Sequence, residues 1–283
     1  MKIIECPRDA MQGIETFIPT GEKVKYLNQL LKVGYDTLDA GSFVSPKAIP
    51  QMKDTAAVFD RLDLSGSATK ILAIVANTRG AEEACRHPVV NYVGFPLSLS
   101  ETFQQRNTHR SIPEALDTLN EIQDRCIGSG RTLVAYLSMG FGNPYGDPYD
   151  LEIVAQFVDI LNTLQIKIVS LADTIGVATP AQIQYLFTRL SRDFPKLEIG
   201  AHLHSNPGTA VDKIEAALSS GCRRFDGALK GFGGCPMAED KLVGNLATET
   251  IVAHLTSRGM PPPLDMKAFQ EALVMATQFF AHT

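Results

Sequence analysis

Cysteine is scarce and without pattern in this chain. The five present, Cys6, Cys85, Cys126, Cys222 and Cys235, are odd in number and show no CxxC spacing. That argues against a disulfide framework or a thiolate zinc site, and for reduced thiols in a cytoplasm. Long apolar runs are missing too. None approaches the roughly 20 residues needed to span a bilayer. The first residues enter a strand-like segment without a signal-peptide pattern, so no membrane partner is expected. Positive charge is not in excess, since 26 Lys and Arg face 31 Asp and Glu for a net −5. A nucleic-acid partner is therefore not expected, although local basic residues can still meet an anionic small molecule. Linkers, repeats and low-complexity stretches are also absent, and residues 1–283 read as a single domain.

What is present is a steady alternation of short apolar runs and longer amphipathic stretches. The hydrophobic share of 45% and charged share of 20% suit a soluble globular chain. Strand-like runs fall at Lys2–Cys6, Tyr35–Ala40, Lys70–Ala76, Val89–Leu97, Thr132–Ser138, Lys167–Ala172, Leu197–Leu203 and Arg224–Leu229. Between them lie helical patterns at Gly21–Val33, Gln51–Arg61, Arg79–Arg86, Ile112–Ser129, Leu151–Leu164, from Pro180 onward, and at Thr209–Ser219. In the first of these, Val24, Leu27, Leu30 and Leu31 recur at helical spacing. Pro180 opens its helix where proline is tolerated, and Gly130 closes another as a C-cap. Eight strands each followed by a helix predict an α/β fold, a (β/α)8 TIM barrel with a C-terminal helical extension. A doubly wound open sheet would carry a Gly-rich phosphate turn after its first strand, and none is there.

In such a barrel the chemistry sits at the C-terminal ends of the strands. His202 and His204 lie two apart on the seventh strand, so both imidazoles project to one side and can hold a divalent metal. Arg8 and Asp9 end strand one, Asp39 strand two and Asp173 strand six, with Cys235 and Asn245 beyond strand eight. Taken singly, each has a structural reading. Arg8–Asp9 can be a surface ion pair, Asp173 a turn or cap residue, Cys235 a buried small side chain, and Asn245 a helix cap. Taken jointly, a carboxylate, two imidazoles and an amide oxygen suit Mg2+, Mn2+ or Co2+.

These residues sit in motifs. Cys-Pro-Arg-Asp-Ala-Met-Gln at 6–12, Ser-Phe-Val-Ser-Pro-Lys at 42–47 and Pro-Gln-Met at 50–52 are joined by Asp-Thr-Ile-Gly-Val-Ala-Thr-Pro at 173–180. His-Leu-His at 202–204, Gly-Phe-Gly-Gly-Cys-Pro-Met-Ala at 231–238 and Gly-Asn-Leu-Ala-Thr-Glu at 244–249 complete the set. In this order the chain resembles the 3-hydroxy-3-methylglutaryl-CoA lyase family over nearly its whole length. The Arg-Asp and His-x-His elements alone occur across the wider metal-dependent aldolase and synthase superfamily. The resemblance implies a carbon–carbon lyase that releases acetyl-CoA and acetoacetate, with Mg2+ or Mn2+ on Asp9, His202, His204 and Asn245. It implies that Arg8 stabilises the thioester enolate, that Asp173 takes part in proton transfer, and that Cys235 rides a mobile loop. Gln12, Asp39 and Ser42 would line the substrate pocket, and a homodimer in the cytoplasm acting on an acyl-CoA is the expected setting.

The chain also departs from the family pattern. Asp39 stands where glutamate is usual, Asn143 where a cysteine is expected, and Val134 where an arginine is expected. His-Ser-Asn-Pro-Gly replaces His-Asp-Thr-Tyr-Gly, and the stretch from Cys235 to Asn245 is one residue longer. Lys47 can contact a CoA phosphate or simply be solvated. Two alternatives follow. One is a synthase that condenses acetyl-CoA with a 2-oxo acid, disfavoured because such enzymes usually carry further C-terminal domains. The other is an acyl-CoA-binding paralogue with little turnover.

Overall fold

The expected alternation is realised as eight parallel strands that close on themselves. In this computed structural model, which describes residues 1–234 and 243–280, the strands are β1 (Lys2–Glu5), β2 (Thr37–Ser42), β3 (Lys70–Ile74), β4 (Val90–Ser98), β5 (Thr132–Ser138), β6 (Ile168–Asp173), β7 (Glu198–Leu203) and β8 (Arg224–Gly227). Each pairs with its neighbour in chain order, and β1 pairs with both β2 and β8, closing the barrel. The helices are α1 (Pro7–Gln12), α2 (Thr20–Val33), α3 (Thr55–Phe59), α4 (Thr78–Arg86), α5 (Glu101–Thr108), α6 (Ile112–Ser129), α7 (Leu151–Thr163), α8 (Pro180–Asp193), α9 (Ala210–Ser219), α10 (Thr248–Ser257) and α11 (Met266–Phe280). The fold is thus the (β/α)8 barrel with C-terminal helices.

Strand periodicity sorts the side chains into two layers. Leu133, Ala135 and Leu137 of β5 join the large core between strands and helices, whereas Val134 and Tyr136 join Leu72, Ile74 and Ile168 in a separate cluster. That second set is the barrel interior. Where the family pattern suggested an arginine, Val134 therefore completes an apolar packing layer, fully buried. The same inward face carries polar residues nearer the mouth, among them Asp39, Ser170, His202 and Asp226.

Helix boundaries follow their caps. Ser111 accepts from the Glu114 amide at 3.3 Å while Glu114 accepts back from the Ser111 amide at 2.7 Å, a capping box that starts α6. Gly130 ends it at φ 69°, as anticipated. Two helices were not anticipated. α1 begins at once after β1 because Pro7 has its φ preset for a helical first turn, so Arg8 and Asp9 belong to a helix and not to the strand end. α5 is started by Ser100, whose hydroxyl accepts from the Phe103 amide at 3.1 Å. The helix expected over Gln51–Arg61 is instead a single 3-10 turn at Pro50–Met52 followed by the short α3. At the C-terminus α11 packs on α2, where the Tyr26 and Phe279 rings stack with centroids 4.6 Å apart.

The chain returns across the mouth between β8 and α10. Ser205 donates its amide to Gly244 O at 3.0 Å, Leu246 to Leu203 O at 3.1 Å, and Ala228 to Leu246 O at 3.0 Å. Gly244 is required there, since a Cβ would lie 2.3 Å from Gly231 O. Glu5 anchors the same return from below, accepting from the Leu229 amide at 2.8 Å and the Thr248 hydroxyl at 2.6 Å.

Candidate active site

Arg8 and Asp9 enter the mouth from the first turn of α1, while Asp39 rises from β2 beneath them. The guanidinium meets Asp39 in a fork, Nε at 3.2 and 3.1 Å from the two oxygens and Nη2 at 2.6 Å from Oδ2. Its Nη1 donates to Asp9 Oδ1 at 3.0 Å and Gln12 Oε1 at 2.7 Å. Gln12 in turn donates to Asp9 Oδ1 at 2.9 Å. Arg8 is 8% exposed and Asp39 1%, so this is not the surface ion pair of the structural reading. Burial pushes the Asp39 carboxyl up to about 6 against the pull of Arg8. At neutral pH the pair is accordingly still an anion facing a cation.

Asp9, His202 and His204 come together as expected. One ligand atom from each lies within 4.8 Å of the other two. Their hydrogen bonds fit a cation. His204 Nδ1 lies 3.0 Å from Thr174 O, and a carbonyl only accepts, so Nδ1 carries the proton and Nε2 keeps its lone pair. That Nε2 is buried with no hydrogen-bond partner among the described residues. A buried imidazole nitrogen left with its lone pair, beside a carboxylate and a second imidazole, suits a divalent cation. Burial, with His202 close by, lowers the His204 pKa to about 4 and keeps it neutral. His202 is oriented by Asp226, its Nδ1 lying 3.2 Å from Oδ2. Burial opposes the Asp9 anion, yet Arg8, the histidines and Asn245 together hold its pKa below the ordinary value.

A second trio, Cys6, His202 and Asp226, is equally close. It fits a cation less well. Burial and the surrounding carboxylates push the Cys6 thiol up, so it keeps its proton, and Asp226 Oδ2 already serves His202 and the Ser170 hydroxyl.

The other expected residues are placed as follows. Asn245 is bridged to His204 by backbone pairing and reaches Asp9, but through its amide nitrogen, which donates to Asp9 Oδ2 at 2.7 Å and Phe232 O at 2.9 Å. Because Phe232 O can only accept, the nitrogen must face it, so the amide oxygen expected as a ligand is turned away here. Asn245 is also not the cap of α10, which is Ala247. Asp173 is 1% exposed, with Oδ2 taking 2.6 Å from Lys213 Nζ and Oδ1 accepting from the Ala178 amide at 3.1 Å. Burial raises its pKa, against the pull of Lys213. Ser42 ends β2, its hydroxyl donating to the carbonyl of Ile74 at the end of β3 at 3.1 Å. Asn143 shapes its own loop, accepting from the Tyr145 and Asp147 amides at 3.0 and 3.1 Å. Lys47 is exposed. Cys235 lies outside the described residues.

Three contributors escaped the sequence reading: Asp226, Thr174 and Lys213. For Lys213 a signal existed, because Ala210, Lys213, Ile214 and Ala217 form one buried stripe on α9, and a lysine in such a stripe needs a partner.

A closed parallel barrel that gathers a carboxylate, two imidazoles and a forked arginine over its strand ends defines a class, the barrel enzymes with a metal-type mouth. The chain belongs to the HMGL-like family, whose model matches residues 2–275. It is similar to a hydroxymethylglutaryl-CoA lyase of Bacillus subtilis, 37% identical over 249 residues, 88% of this chain and 82% of that protein. It is also similar to a 3-hydroxy-3-isohexenylglutaryl-CoA/hydroxymethylglutaryl-CoA lyase of Pseudomonas aeruginosa, 32% identical over 273 residues, 96% of this chain and 90% of that one. Among solved structures, an HMG-CoA lyase from Acinetobacter baumannii in complex with coenzyme A and 3-methylmalate superposes with a TM-score of 0.91 at 29% identity, covering 99% of this chain and 91% of that one.

Proposed function

We propose that this protein is a divalent-metal-dependent carbon–carbon lyase that cleaves 3-hydroxy-3-methylglutaryl-CoA, or a close 3-hydroxyacyl-CoA, to acetyl-CoA and acetoacetate. The observation that carries the reading is the Asp9–His202–His204 cluster, in which His204 Nε2 is buried without a hydrogen-bond partner among the described residues. Asp9, His202 and His204 would hold Mg2+ or Mn2+, with Asn245 completing the set if its amide turns. When bound, the cation supplies Lewis-acid polarisation and a template for adjacent substrate oxygens.

The remaining work falls to this chain's side chains. Arg8 stays protonated and, held in place by Asp39, Asp9 and Gln12, would use its positive charge and its one remaining Nη2 donor on the thioester oxygen where negative charge develops. Proton transfer is assigned to Asp173, whose pKa burial raises against the pull of Lys213, and to Cys235. Asp39, one methylene shorter than glutamate, leaves extra room beside Arg8 and bears on which acyl group is accepted. Gln12 steadies Arg8 and Asp9, and Ser42 contributes by shaping the pocket wall. Residues 1–283 act in this reading as one catalytic unit, a cytoplasmic homodimer with an acyl-CoA as its substrate.

The test is release of acetyl-CoA from a panel of 3-hydroxyacyl-CoA thioesters with Mg2+ or Mn2+, and with chelator. Metal-dependent cleavage of the six-carbon tertiary substrate is expected. Coupling of acetyl-CoA to 2-oxo acids would move the protein to the synthases, and tight acyl-CoA binding without product would make it a binding paralogue.

A further inference from the structure

We propose that Lys213, on the outer helix α9, is a positioning residue that sets the direction of the His204 imidazole by clamping the turn on which that ring rests. The proposal builds on the reading of His204 as a metal ligand and extends it to a residue outside the ligand set.

Lys213 is 2% exposed, and its ammonium uses its three donors on three acceptors. These are Asp173 Oδ2 at 2.6 Å, Gly176 O at 2.9 Å and His204 O at 2.8 Å. The acceptors belong to two neighbouring strand ends. Asp173 is the last residue of β6, Gly176 closes the turn that follows with its amide on Asp173 O at 3.0 Å, and His204 lies just past β7. Thr174 sits between the two gripped points of that turn, and its carbonyl takes the proton of His204 Nδ1 at 3.0 Å. The main chain of His204 is therefore tied directly to the Lys213 ammonium. Its ring is tied to a turn held at both ends by the same ammonium. With both attachments fixed, the ring cannot turn freely, and Nε2 is the nitrogen left to serve the cluster with Asp9 and His202.

The arrangement also gives Asp173 a second task. Its two oxygens are held by Lys213 and the Ala178 amide, so it serves as counter-ion and post for the clamp. Among the described residues no hydrogen bond or ion pair joins Lys213 to Arg8, Asp9 or His202, so replacing it removes no ligand. What changes is the aim of one.

The test compares the full-length protein with Lys213→Met and with the charge-balanced pair Lys213→Met/Asp173→Asn. Two quantities are read on folded protein: Mn2+ affinity by electron paramagnetic resonance, and the tautomer of His204 by nitrogen-15 NMR of metal-free, histidine-labelled protein. Wild type should show a single Nδ1–H tautomer for His204. Both variants should bind Mn2+ about 10–100-fold more weakly, the usual cost of losing a group that orients a ligand, and should show His204 averaging between tautomers. Affinity within twofold of wild type with an unchanged tautomer overturns the proposal. So does failure of both variants to fold, which would make Lys213 a folding requirement and nothing more. If wild type itself binds no Mn2+, the metal reading of the site fails, while the tautomer comparison still decides whether the clamp exists.

Discussion

Arg8 is held by three partners, and the one that titrates in the working range is Asp39. Its carboxyl is pushed up to about 6 by burial, with Arg8 pulling the other way. The anion is the form that pins the guanidinium, so the pin weakens as pH falls through about 6 and is complete above it. A kcat profile should therefore show an acid limb near pH 6, and Asp39→Asn should lower the plateau and erase that limb. A limb that survives the substitution would assign it to another group. At this scale the ligand residues were legible, because Asp9, His202 and His204 announce themselves by position at strand ends and by motif. Lys213 and Asp226 were not, since their meaning depends on partners 40 and 24 residues away. The direction of the Asn245 amide was equally hidden, being decided by where the Phe232 carbonyl points.

Among the elements, strand positions were legible to within two residues because buried parallel strands read as uninterrupted apolar runs. The short α1 and α5 were missed, as neither is long enough to show a periodicity. The element that matters most for the site is the return segment at 243–247, which brings Asn245 to Asp9. Its register depends on Gly244 lying against Gly231 O, where a Cβ would sit 2.3 Å away. Gly244→Ala must therefore displace the segment, at a cost of roughly 1–3 kcal/mol in stability. It should weaken Mn2+ binding at least several-fold by calorimetry. Gly21→Ala on α2, where a Cβ meets nothing within 4 Å, is the matched control and should change neither. Equal behaviour of the two variants would remove the segment from the account of the site.

For the molecule as a whole, closure of the barrel was foreseeable from eight repeats of one pattern, whereas the charges sealed within it were not. Glu5 is one carboxyl so sealed, and it is neutral over most of the pH range. Burial raises its pKa to about 8, opposed by its hydrogen bonds to Thr248 and Leu229. Between the ordinary carboxylate value and about 8, the folded chain holds a proton that the unfolded chain has released. Folding stability contributed at Glu5 is thus highest at low pH, falls as pH rises through that window, and is fully lost above it. Glu5→Gln keeps an acceptor for the Leu229 amide and a polar contact to Thr248 without the charge. In urea unfolding the variant should be more stable than wild type at pH 8 by an amount on the order of a few kcal/mol, and the difference should shrink toward pH 5. A difference that does not vary with pH would place the Glu5 proton elsewhere.

The central claim, that the mouth residues work as a cation site for carbon–carbon cleavage, is tested most directly by metal add-back. Protein stripped with chelator is assayed for acetyl-CoA release from 3-hydroxy-3-methylglutaryl-CoA as Mn2+ is returned, beside His204→Ala treated alike. The account predicts no release from stripped protein, saturable recovery with Mn2+, and no recovery in the variant at the same metal concentration. Undiminished cleavage in excess chelator, or full recovery by His204→Ala, would contradict it.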